Sequence, residues 1–528
     1  MRPTVPFQEI PGAAVLEVGE RLMEAPSRFL TDIAFSRELQ AQQVLTRAMG
    51  WVDLAHTMTL AERGTIPRDS ARALIAALLA LDKAPSSFSP IGGYGDLYTN
   101  REAWLAERTE AVGWLGVARA RREALTTAYH LTLCDELLGL GETLTKATEA
   151  FNAVSLRHRD TMMPDYTYLQ AAQPTTFGHY IQSFAWPMLR DLDRVRALYD
   201  RVDKCPAGIG SSNGSVTIQD RRKLADRLGF REPVRHARDA MWQADIALEA
   251  SAVAVMAAVN LDRLAEDLMI FASAEFGFVR LADRHARASK IMPQKRNPFA
   301  LAFVRAVANR LIGAQAGIAA AARTPSGQMD NRFFAYEAVP DAVRSAGEVA
   351  SLVAECVDGL CINEARALAA LDDRSTCASD LAERLMGATG IDYRSAHGLV
   401  GRLVGTLEES GRSLAEVTAS DVGDALRAAG LPTDGVTDGL VAAALDLTAC
   451  IAVRTDVGGA APEEVTAMAS VLAEAVGKCR HTFEAMRARR ETALRRLHAE
   501  AETFAGDAKR RNGHSARPST AMHGLLRR

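Results

Sequence analysis

Residues 241–274 read MWQADIALEASAVAVMAAVNLDRLAEDLMIFASA, and apolar side chains occupy almost every side of the helix they predict as far as Asp262. The apolar residues recur at i, i+3, i+4 and i+7, which is the spacing of a helix and not of a strand. A helix of this kind has to be covered on several sides. Because one chain rarely supplies that much cover, we predict an oligomer in which helices from different subunits pack together.

The same spacing predicts further long helices at residues 119–150, 176–202 and 298–322. Long helices that follow one another in a chain are typical of a helix bundle. Aromatic residues make up only 6% of the chain, and alanine and leucine are abundant, which favours helices over sheets. We therefore predict an all-α fold with a central bundle of long helices.

The chain is expected to fold in several parts, because 528 residues exceed the size of one ordinary core. Residues 1–118 are predicted to form an N-terminal helical domain, and residues 119–371 the central bundle. The predicted helices shorten in residues 372–478, which we assign to a small C-terminal helical domain. Residues 479–528 form an arginine-rich tail, expected to be a solvated helix that becomes disordered after Gly506.

Composition argues against several classes of protein. A net charge of −3 lacks the basic field of a nucleic-acid-binding protein. The most apolar stretch, residues 246–261, is short and is interrupted by Glu249 and Asn260, so we expect no membrane span. The seven cysteines show no metal-binding spacing and are expected to be reduced thiols. Residues 1–15 lack the apolar core of a signal peptide, so we expect a cytoplasmic protein. No motif in the sequence supports a metal or cofactor site, so we expect neither.

Lys290 and Lys295 lie in one polar loop, although the whole chain has only eight lysines. Asn297 followed by Pro298 predicts that the next helix starts here, with Asn297 as its N-cap. The positive end of that helix, together with the two lysines, would make an anion site. Ser289 lies in this field, and clustered cations and backbone N–H donors could lower the pKa of its hydroxyl enough for it to act as a base. A solvated basic turn is the alternative.

The polar loop of residues 167–176 precedes another predicted helix. Its hydroxyl and amide groups could bind a ligand, and they belong to Thr167, Tyr168 and Gln173. Thr176, or the threonine before it, is expected to cap the helix by accepting a backbone N–H. An ordinary capped turn is the alternative.

Residues 208–215, GIGSSNGS, form a third polar loop. Its glycines would let a small ligand approach the backbone closely, and Ser212 offers a hydroxyl. The pattern is not GxGxxG and no predicted strand precedes it, which argues against a dinucleotide site. A flexible connector is the alternative.

Arg121 and Arg122 lie near the start of the long helix predicted from residue 119. A guanidinium there could hold a carboxylate through two hydrogen bonds. Successive helical residues point about 100° apart, so the two arginines cannot both face one pocket squarely. Surface salt bridges are the alternative.

Residues 289–298, SKIMPQKRNP, resemble the signature GSSxMPxKxNP of the fumarase/aspartase superfamily, in the MPQK form that is typical of its argininosuccinate lyase branch. Residues 166–179, YTYLQAAQPTTFGH, resemble the YTHLQxAQPxTFGH of the same branch. Residues 206–221 and the EFGF of residues 275–278 are also similar to segments of that branch. The chain is identified as a divergent member of the argininosuccinate lyase branch.

The resemblance implies a three-domain, all-α chain that assembles into a homotetramer, with each active site built from loops of three subunits. It implies a carbon–nitrogen lyase acting on a small dicarboxylate, an N-substituted aspartate. Such enzymes remove a proton from the carbon beside one carboxylate, stabilise the resulting dianionic aci-carboxylate and expel the amine to leave fumarate.

The matched positions carry roles by resemblance. Ser289 corresponds to the proposed catalytic base of the family. Lys295 and Asn297 correspond to groups that stabilise the developing dianion, which is an electrostatic role. Arg121 and Thr167 correspond to substrate-contacting positions.

Several substitutions separate this chain from the branch. Tyr168 replaces the histidine that is proposed to assist proton transfer to the leaving group, and a tyrosine could donate a proton but would shuttle one less readily near neutral pH. Arg122 replaces an asparagine and Lys290 a serine, and these extra cations indicate a further acidic group on the substrate. Residues 328–333 differ from the YNRDLQ that holds the amine end. We therefore expect a leaving amine other than arginine.

Two alternatives remain open on the sequence. The enzyme could act on another succinate, by carbon–oxygen elimination or as a cycloisomerase. The loss of the motif histidine also fits a non-catalytic tetramer with a structural or regulatory role.

Overall fold

The computed structural model describes residue 22 and residues 24–217, 220–323 and 334–512. The earlier helices are α1 (Ser36–Gln42), α2 (Thr46–Glu62), α3 (Arg68–Lys83), α4 (Leu97–Ala106), α5 (Arg121–Arg157), α6 (Phe177–Val202), α7 (Arg221–Arg227), α8 (Ala237–Trp242) and α9 (Ala244–Phe271). The later helices are α10 (Phe299–Ala322), α11 (Ala335–Asp358), α12 (Glu364–Ala369), α13 (Ala378–Thr389), α14 (Tyr393–Glu409), α15 (Ala419–Ala428), α16 (Asp438–Leu445), α17 (Leu447–Ala452) and α18 (Pro462–Asn512).

The strands are short and occur in pairs. The antiparallel pairs are β1 (Met162–Thr167) with β2 (Gln170–Thr176), β5 (Val279–Arg280) with β8 (Cys361–Ile362), and β6 (Arg287–Ala288) with β7 (Arg296–Asn297). The parallel pair is β3 (Lys204–Cys205) with β4 (Glu232–Pro233). The strands therefore form only short two-stranded sheets within the loops. The fold is all-α, as predicted.

The long helices α5, α6, α9, α10 and α11 pack side by side around one hydrophobic core. The central helix, α5, has 37 residues, which makes it about 55 Å long. We call the end of the bundle where α5 begins the arginine end, because Arg121 and Arg122 lie there. We call the opposite end the hairpin end, because the β1–β2 hairpin follows α5 directly.

Contacts between distant segments define the hairpin end. Tyr166 of β1 packs its ring against Phe271 at the end of α9, with centroids 5.9 Å apart. Arg157 at the end of α5 pairs with Asp358 at the end of α11, with Nη2 and Oδ1 2.9 Å apart. The helices α5, α9 and α11 therefore all finish at this end of the bundle.

The strongly apolar segment of residues 241–274 forms two helices rather than one. Gln243, with φ −65° and ψ 74°, leaves the helical conformation and separates α8 from α9. α9 packs against α6, α10 and α11. Among the described residues, α9 is the one helix that is long and apolar enough to cross a membrane. The core helices of globular proteins meet the same criterion of length and apolar composition. The packing of α9 makes it a helix of the bundle.

A band of apolar side chains on α9 and α10 remains uncovered in the single chain. Leu248 and Met256 of α9 are about a third exposed, and Phe299, Phe303 and Ile312 of α10 are about half exposed. Isolated exposed apolar residues are ordinary, but several large ones on neighbouring helices mark a surface for association.

The last helix, α18, corrects the expectation of a solvated tail. It runs unbroken through residue 478, and Phe483, Leu497 and Ala501 are buried in the core of the bundle. Arg490 is also buried, and its Nη2 donates to Asp135 of α5 at 2.8 Å. The narrow apolar face of α18 is hard to recognise in the sequence, because the few buried residues are separated by charged ones. The expected disorder also involves residues 513–528, which lie outside the described residues.

A second hydrophobic core is built from residues between Leu371 and Cys450 and brings together α13 to α17. The hairpin rests on it, because Met162 of β1 packs against this core. Strand β2 also contacts α17 and the short 3₁₀ turn of Ser375–Cys377. The hairpin is thus held between the bundle and the C-terminal core.

Candidate active site

The signature loop, residues 289–295, connects β6 to β7 and forms a tight turn. The backbone N–H of Ser289 donates to the carbonyl of Lys295 at 3.2 Å, and the N–H of Lys295 donates to the carbonyl of Met292 at 3.0 Å. Lys290 and Lys295 are both exposed on this turn. The loop therefore presents its charges on an ordered backbone at the hairpin end of the molecule.

The hydroxyl of Ser289 accepts two backbone hydrogen bonds inside this turn. The N–H of Met292 donates to its Oγ at 3.0 Å, and the N–H of Ile291 donates to it at 3.3 Å. Donors aimed at an oxygen stabilise its negatively charged form more than its neutral form. The turn therefore offers two donors to any negative charge that develops on the Ser289 oxygen, and the role of Ser289 as a base stays a prediction.

Asn297 does not cap α10, and this prediction is wrong. The helix begins at Phe299 after Pro298, and the side chain of Asn297 instead donates from Nδ2 to the carbonyl of Arg287 at 3.0 Å. A residue before proline is driven into extended conformation, which suits its place in β7. The Asn297 side chain therefore links β7 to β6, the two strands that flank the signature loop.

Thr167 and Tyr168 lie at the tip of the β1–β2 hairpin. Thr167 pairs with Gln170 across the strands, and the two residues between them, Tyr168 and Leu169, have φ of 54° and 58°. Two successive positive φ angles are those of a type I′ turn, which normally takes Asn and Gly. Bulky residues in this conformation are uncommon and mark functional positions more often than others.

The side chain of Tyr168 is 99% exposed in the single chain. Further along β2, Gln173 donates from Nε2 to the hydroxyl of Ser379 in α13 at 3.4 Å, which ties the hairpin to the C-terminal core. Thr176 caps α6 by accepting the N–H of His179 at 3.1 Å, which confirms that part of the prediction. The base of the hairpin is therefore anchored, while its tip projects outward.

At the arginine end, Arg121 forms an ion pair. Its Nε lies 3.2 Å from Oδ2 of Asp96, and its Nη1 donates to the hydroxyl of Thr99 at 3.4 Å. Asp96 also caps α4, so the pair fixes the start of α5 against α4. Burial and the charge of Asp96 raise the pKa of the Glu38 carboxyl, and the nearby Arg121 and Arg122 oppose that rise. Arg121 therefore forms a salt bridge within the single chain while its side chain remains half exposed, and its role in substrate binding stays a prediction.

Glu123 is a functional candidate that the sequence analysis missed. Its buried carboxylate accepts the N–H of Gly208 at 2.6 Å and the N–H of Ser211 at 3.3 Å. Burial raises the pKa of this carboxyl, and the backbone donors oppose the rise. The loop that contains Ser212 is therefore anchored to the first turn of α5 and is not a free connector. An acidic residue in the first turn of a helix was the available signal, but its partners lie 85 residues away.

Glycine is required at one point of that loop. Gly210 has a φ of 57°, and a Cβ there would lie 2.6 Å from the carbonyl oxygen of Gly214. Ser211, which follows it, also has a positive φ, 86°. The loop therefore turns back on itself, and Ser212 is partly buried between exposed neighbours.

The candidate residues fall into two groups that one chain holds apart. Arg121, Arg122 and Ser212 lie at the arginine end. Ser289, Lys290, Lys295, Asn297, Thr167, Tyr168 and Gln173 lie at the hairpin end, separated from the first group by the length of α5, about 55 Å. Within the described residues, one chain cannot bring both groups around one small substrate. Residues 328–333, predicted to read the amine end, lie outside the described residues.

The comparisons with known proteins agree with this architecture. A family described as Lyase matches residues 93–313, and one described as Argininosuccinate lyase C-terminal matches residues 375–452. The argininosuccinate lyase of Chelativorans sp. (strain BNC1) is 33% identical over 452 residues, which cover 84% of this chain and 92% of that protein. The chain belongs to the argininosuccinate lyase branch of the fumarase/aspartase superfamily.

Other relatives extend the likeness within this branch. Argininosuccinate lyase 1 of Mesorhizobium japonicum is 32% identical over 461 residues, covering 85% of this chain and 95% of that protein. The prediction of a carbon–nitrogen lyase of the argininosuccinate lyase branch is thereby confirmed.

Solved structures confirm the fold. An EDDS lyase variant with bound fumarate superposes with a TM-score of 0.83 at 24% identity, covering 92% of this chain and 98% of that chain. EDDS lyase in complex with formate gives a TM-score of 0.82, also at 24% identity, covering 94% and 99%. Nearly the whole chain therefore adopts the architecture of these lyases.

Proposed function

We propose that this enzyme cleaves an N-substituted aspartate by β-elimination, releasing fumarate and an amine other than arginine. The observation that carries the proposal is the Ser289 hydroxyl, which receives two backbone N–H donors within a turn flanked by Lys290 and Lys295. A hydroxyl placed in this way can serve as a general base, because its charged form is stabilised before substrate arrives.

The elimination has two steps. The Ser289 oxygen takes the proton from the carbon beside one carboxylate, and the electron pair moves into that carboxylate to form the dianionic aci-carboxylate. Lys295 and Asn297 stabilise this charge electrostatically. The electron pair then returns to form the double bond of fumarate while the carbon–nitrogen bond breaks, and Tyr168 gives a proton to the departing nitrogen.

A complete site requires several subunits. The separation of about 55 Å between the two groups of residues supports this, as do the uncovered apolar band on α9 and α10 and the exposed Tyr168. In the proposed homotetramer, the arginine end of one subunit meets the hairpin ends of others. Arg121, Thr167, Gln173 and Ser212 then bind the succinate carboxylates.

The leaving amine is proposed to carry an acidic group of its own. Arg122 and Lys290 add positive charge at positions where the branch has neutral residues, and they could pair with such a group. Most of the fold is also shared with EDDS lyase, so EDDS is the first substrate to test beside argininosuccinate. We place the reaction in the cytoplasm, which fits the free state of all seven cysteines.

Fumarate formation tests the proposal directly. The purified chain is incubated with argininosuccinate, EDDS and N-carboxyalkyl aspartates, and fumarate is followed by its absorbance. We expect Ser289→Ala to lose about 100- to 10,000-fold in kcat, while Ser470→Ala, which alters an exposed serine of α18, keeps the wild-type rate. Equal rates for wild type and Ser289→Ala, or products other than fumarate and an amine, would refute the proposal.

A further inference from the structure

The signature loop stands on a very short base. The flanking strands β6 and β7 pair over two residues each, Arg287 with Asn297 and Ala288 with Arg296. An isolated two-stranded ribbon has little stability of its own in water. Ser289 follows Ala288 directly, so the place of its hydroxyl depends on this base. The loop therefore needs a support from outside the ribbon to hold Ser289 in one position.

The side chain of Arg296 supplies such a support. Its Nη2 donates to the carbonyl of Leu281 at 3.2 Å and to the carboxylate of Asp283. Among the described residues, no other side-chain hydrogen bond or ion pair joins residues 287–297 to the rest of the chain. The guanidinium of Arg296 is therefore the polar link between the loop and the segment that precedes it.

The segment that Arg296 reaches is firmly held. Leu281 is buried in the core of the bundle, and the strand just before it, β5, pairs with β8. Asp283 opens a short 3₁₀ turn that ends at the buried His285. The Nε2 of His285 lies 3.2 Å from Oε1 of Glu355, near the end of α11. The acceptors of the guanidinium thus belong to a part of the chain that is packed against the bundle.

We propose that Arg296 is a positioning residue, which holds the signature loop through Leu281 and Asp283 so that Ser289 keeps the place needed for proton removal. This inference rests on the proposed function. The guanidinium acts through the paired strands and does not touch the substrate. A displacement of about 1 Å can lower a catalytic rate about 100-fold. The ion pair is largely exposed, at 39% for Arg296 and 89% for Asp283, so it should add little to overall stability.

Fumarate release by the full chain tests this role. Arg296→Met removes the donors and keeps most of the length of the side chain. We expect kcat to fall about 10- to 100-fold because Ser289 is misplaced, and KM to change by less than about threefold because the substrate-binding residues are intact. Arg296→Lys, which can still pair with Asp283, should recover part of kcat. Arg496→Met, which breaks a partly exposed pair with Asp226 at 2.7 Å, should match wild type.

A double-variant cycle separates positioning from direct contact with substrate. If Arg296 acts through its partners, Asp283→Asn lowers kcat as well. The double variant Arg296→Met/Asp283→Asn is then no slower than Arg296→Met alone, because both changes break one link. An arginine that binds substrate itself would give a raised KM and a normal kcat in Arg296→Met, with no effect of Asp283→Asn. That pattern, or wild-type kinetics in Arg296→Met, would overturn the proposal.

Amide hydrogen exchange examines the loop without any substrate. The N–H groups of Ser289 and Lys295 are hydrogen-bonded inside the turn, so their exchange reports its opening. We expect the peptide that covers residues 287–297 to exchange severalfold faster in Arg296→Met than in wild type, while residues 271–281 are unchanged. Equal exchange in both proteins would rule out the support. If no substrate yields fumarate, the proposed function fails, yet the exchange rates still decide whether Arg296 holds the loop.

Discussion

The two ends of the bundle hold their polar groups in opposite ways. At the arginine end, the buried Asp53 joins two buried arginines, with its oxygens 2.8 Å from Nε of Arg101 and 2.9 Å from Nη1 of Arg119. At the hairpin end, Ser289 and Tyr168 stand on turns held mainly by backbone hydrogen bonds. The first arrangement pairs its charges within one chain. The second presents its polar groups outward in the single chain, where Tyr168 is almost fully exposed.

The largest effect should come from breaking the buried network at the arginine end. Asp53→Asn removes the carboxylate that Arg101 and Arg119 share, and removing one member of a buried ion pair costs about 3–5 kcal/mol. We expect the free energy of unfolding to fall by that amount in urea denaturation at a fixed protein concentration. The control Asp32→Asn, which breaks an exposed pair with Arg28 at 3.2 Å, should change it by less than about 0.5 kcal/mol. Similar losses for both variants would mean that the network adds nothing to stability.

The hairpin end should respond in activity and not in stability. Tyr168→Phe removes one hydroxyl from an exposed side chain, so the fold should be unaffected while kcat falls by at least about 100-fold, because the departing amine loses its proton donor. Tyr393→Phe, at an exposed tyrosine of α14, is the matched control. Tyr168→His should retain more activity than Tyr168→Phe. Wild-type kcat in the phenylalanine variant would exclude Tyr168 from proton transfer.

Glu123 lies in the first turn of α5, beside the two arginines that are proposed to bind substrate. Glu123→Gln keeps the size of the side chain but turns an N–H donor toward the backbone donors of Gly208 and Ser211. We expect the loop to shift and kcat/KM to fall about 10- to 100-fold, with little loss of helical content. Glu107→Gln, at an exposed carboxylate, should behave as wild type. A Glu123→Gln enzyme with full kcat/KM would show that the anchored loop is not needed.

The smallest effect concerns pH. Burial raises the pKa of Glu102 to about 7, against the opposing charge of Arg119. Between about pH 4.5 and 7, the Glu102 carboxyl is protonated in the folded chain but has lost its proton in the unfolded chain. Glu102 therefore costs no stability below about pH 4.5. It destabilises the fold increasingly as the pH rises towards 7. We expect Glu102→Gln to be more stable than wild type at pH 7.5 by roughly 1 kcal/mol, since partial solvent exposure reduces the effect. The difference should vanish at pH 4 in parallel urea titrations, and a difference that is independent of pH would contradict the assignment.

The long helices could be predicted from sequence because their apolar spacing persists over many turns. α6 and α10 begin within one residue of their predicted starts. The break at Gln243 was missed because a single non-helical residue barely disturbs the spacing. α11 was not predicted, and it contains Pro340 inside the helix, a residue that normally argues against one.

The candidate site was predictable only where it depends on local sequence. The turn around Ser289 joins residues within six positions of one another, so its backbone donors could be anticipated. The anchor from Glu123 to Gly208 joins residues 85 positions apart, and no local pattern encodes such a partner. Asn297 was assigned to the wrong element because an Asn-Pro pair is compatible with a helix start and also with a strand end.

Helix α18 runs along the bundle and contacts it near both of its ends. Its 51 residues span about 76 Å. Near its start, the carbonyl of Val465 accepts from Gln182 at 3.2 Å, and near its finish Glu502 pairs with Lys83 at 2.8 Å. A continuous helix tied to the bundle near both of its ends holds the arginine end and the hairpin end at a fixed spacing. If the assembly is as proposed, a slip between neighbouring subunits of one helical turn, about 5.4 Å, would misalign every catalytic centre at the same time.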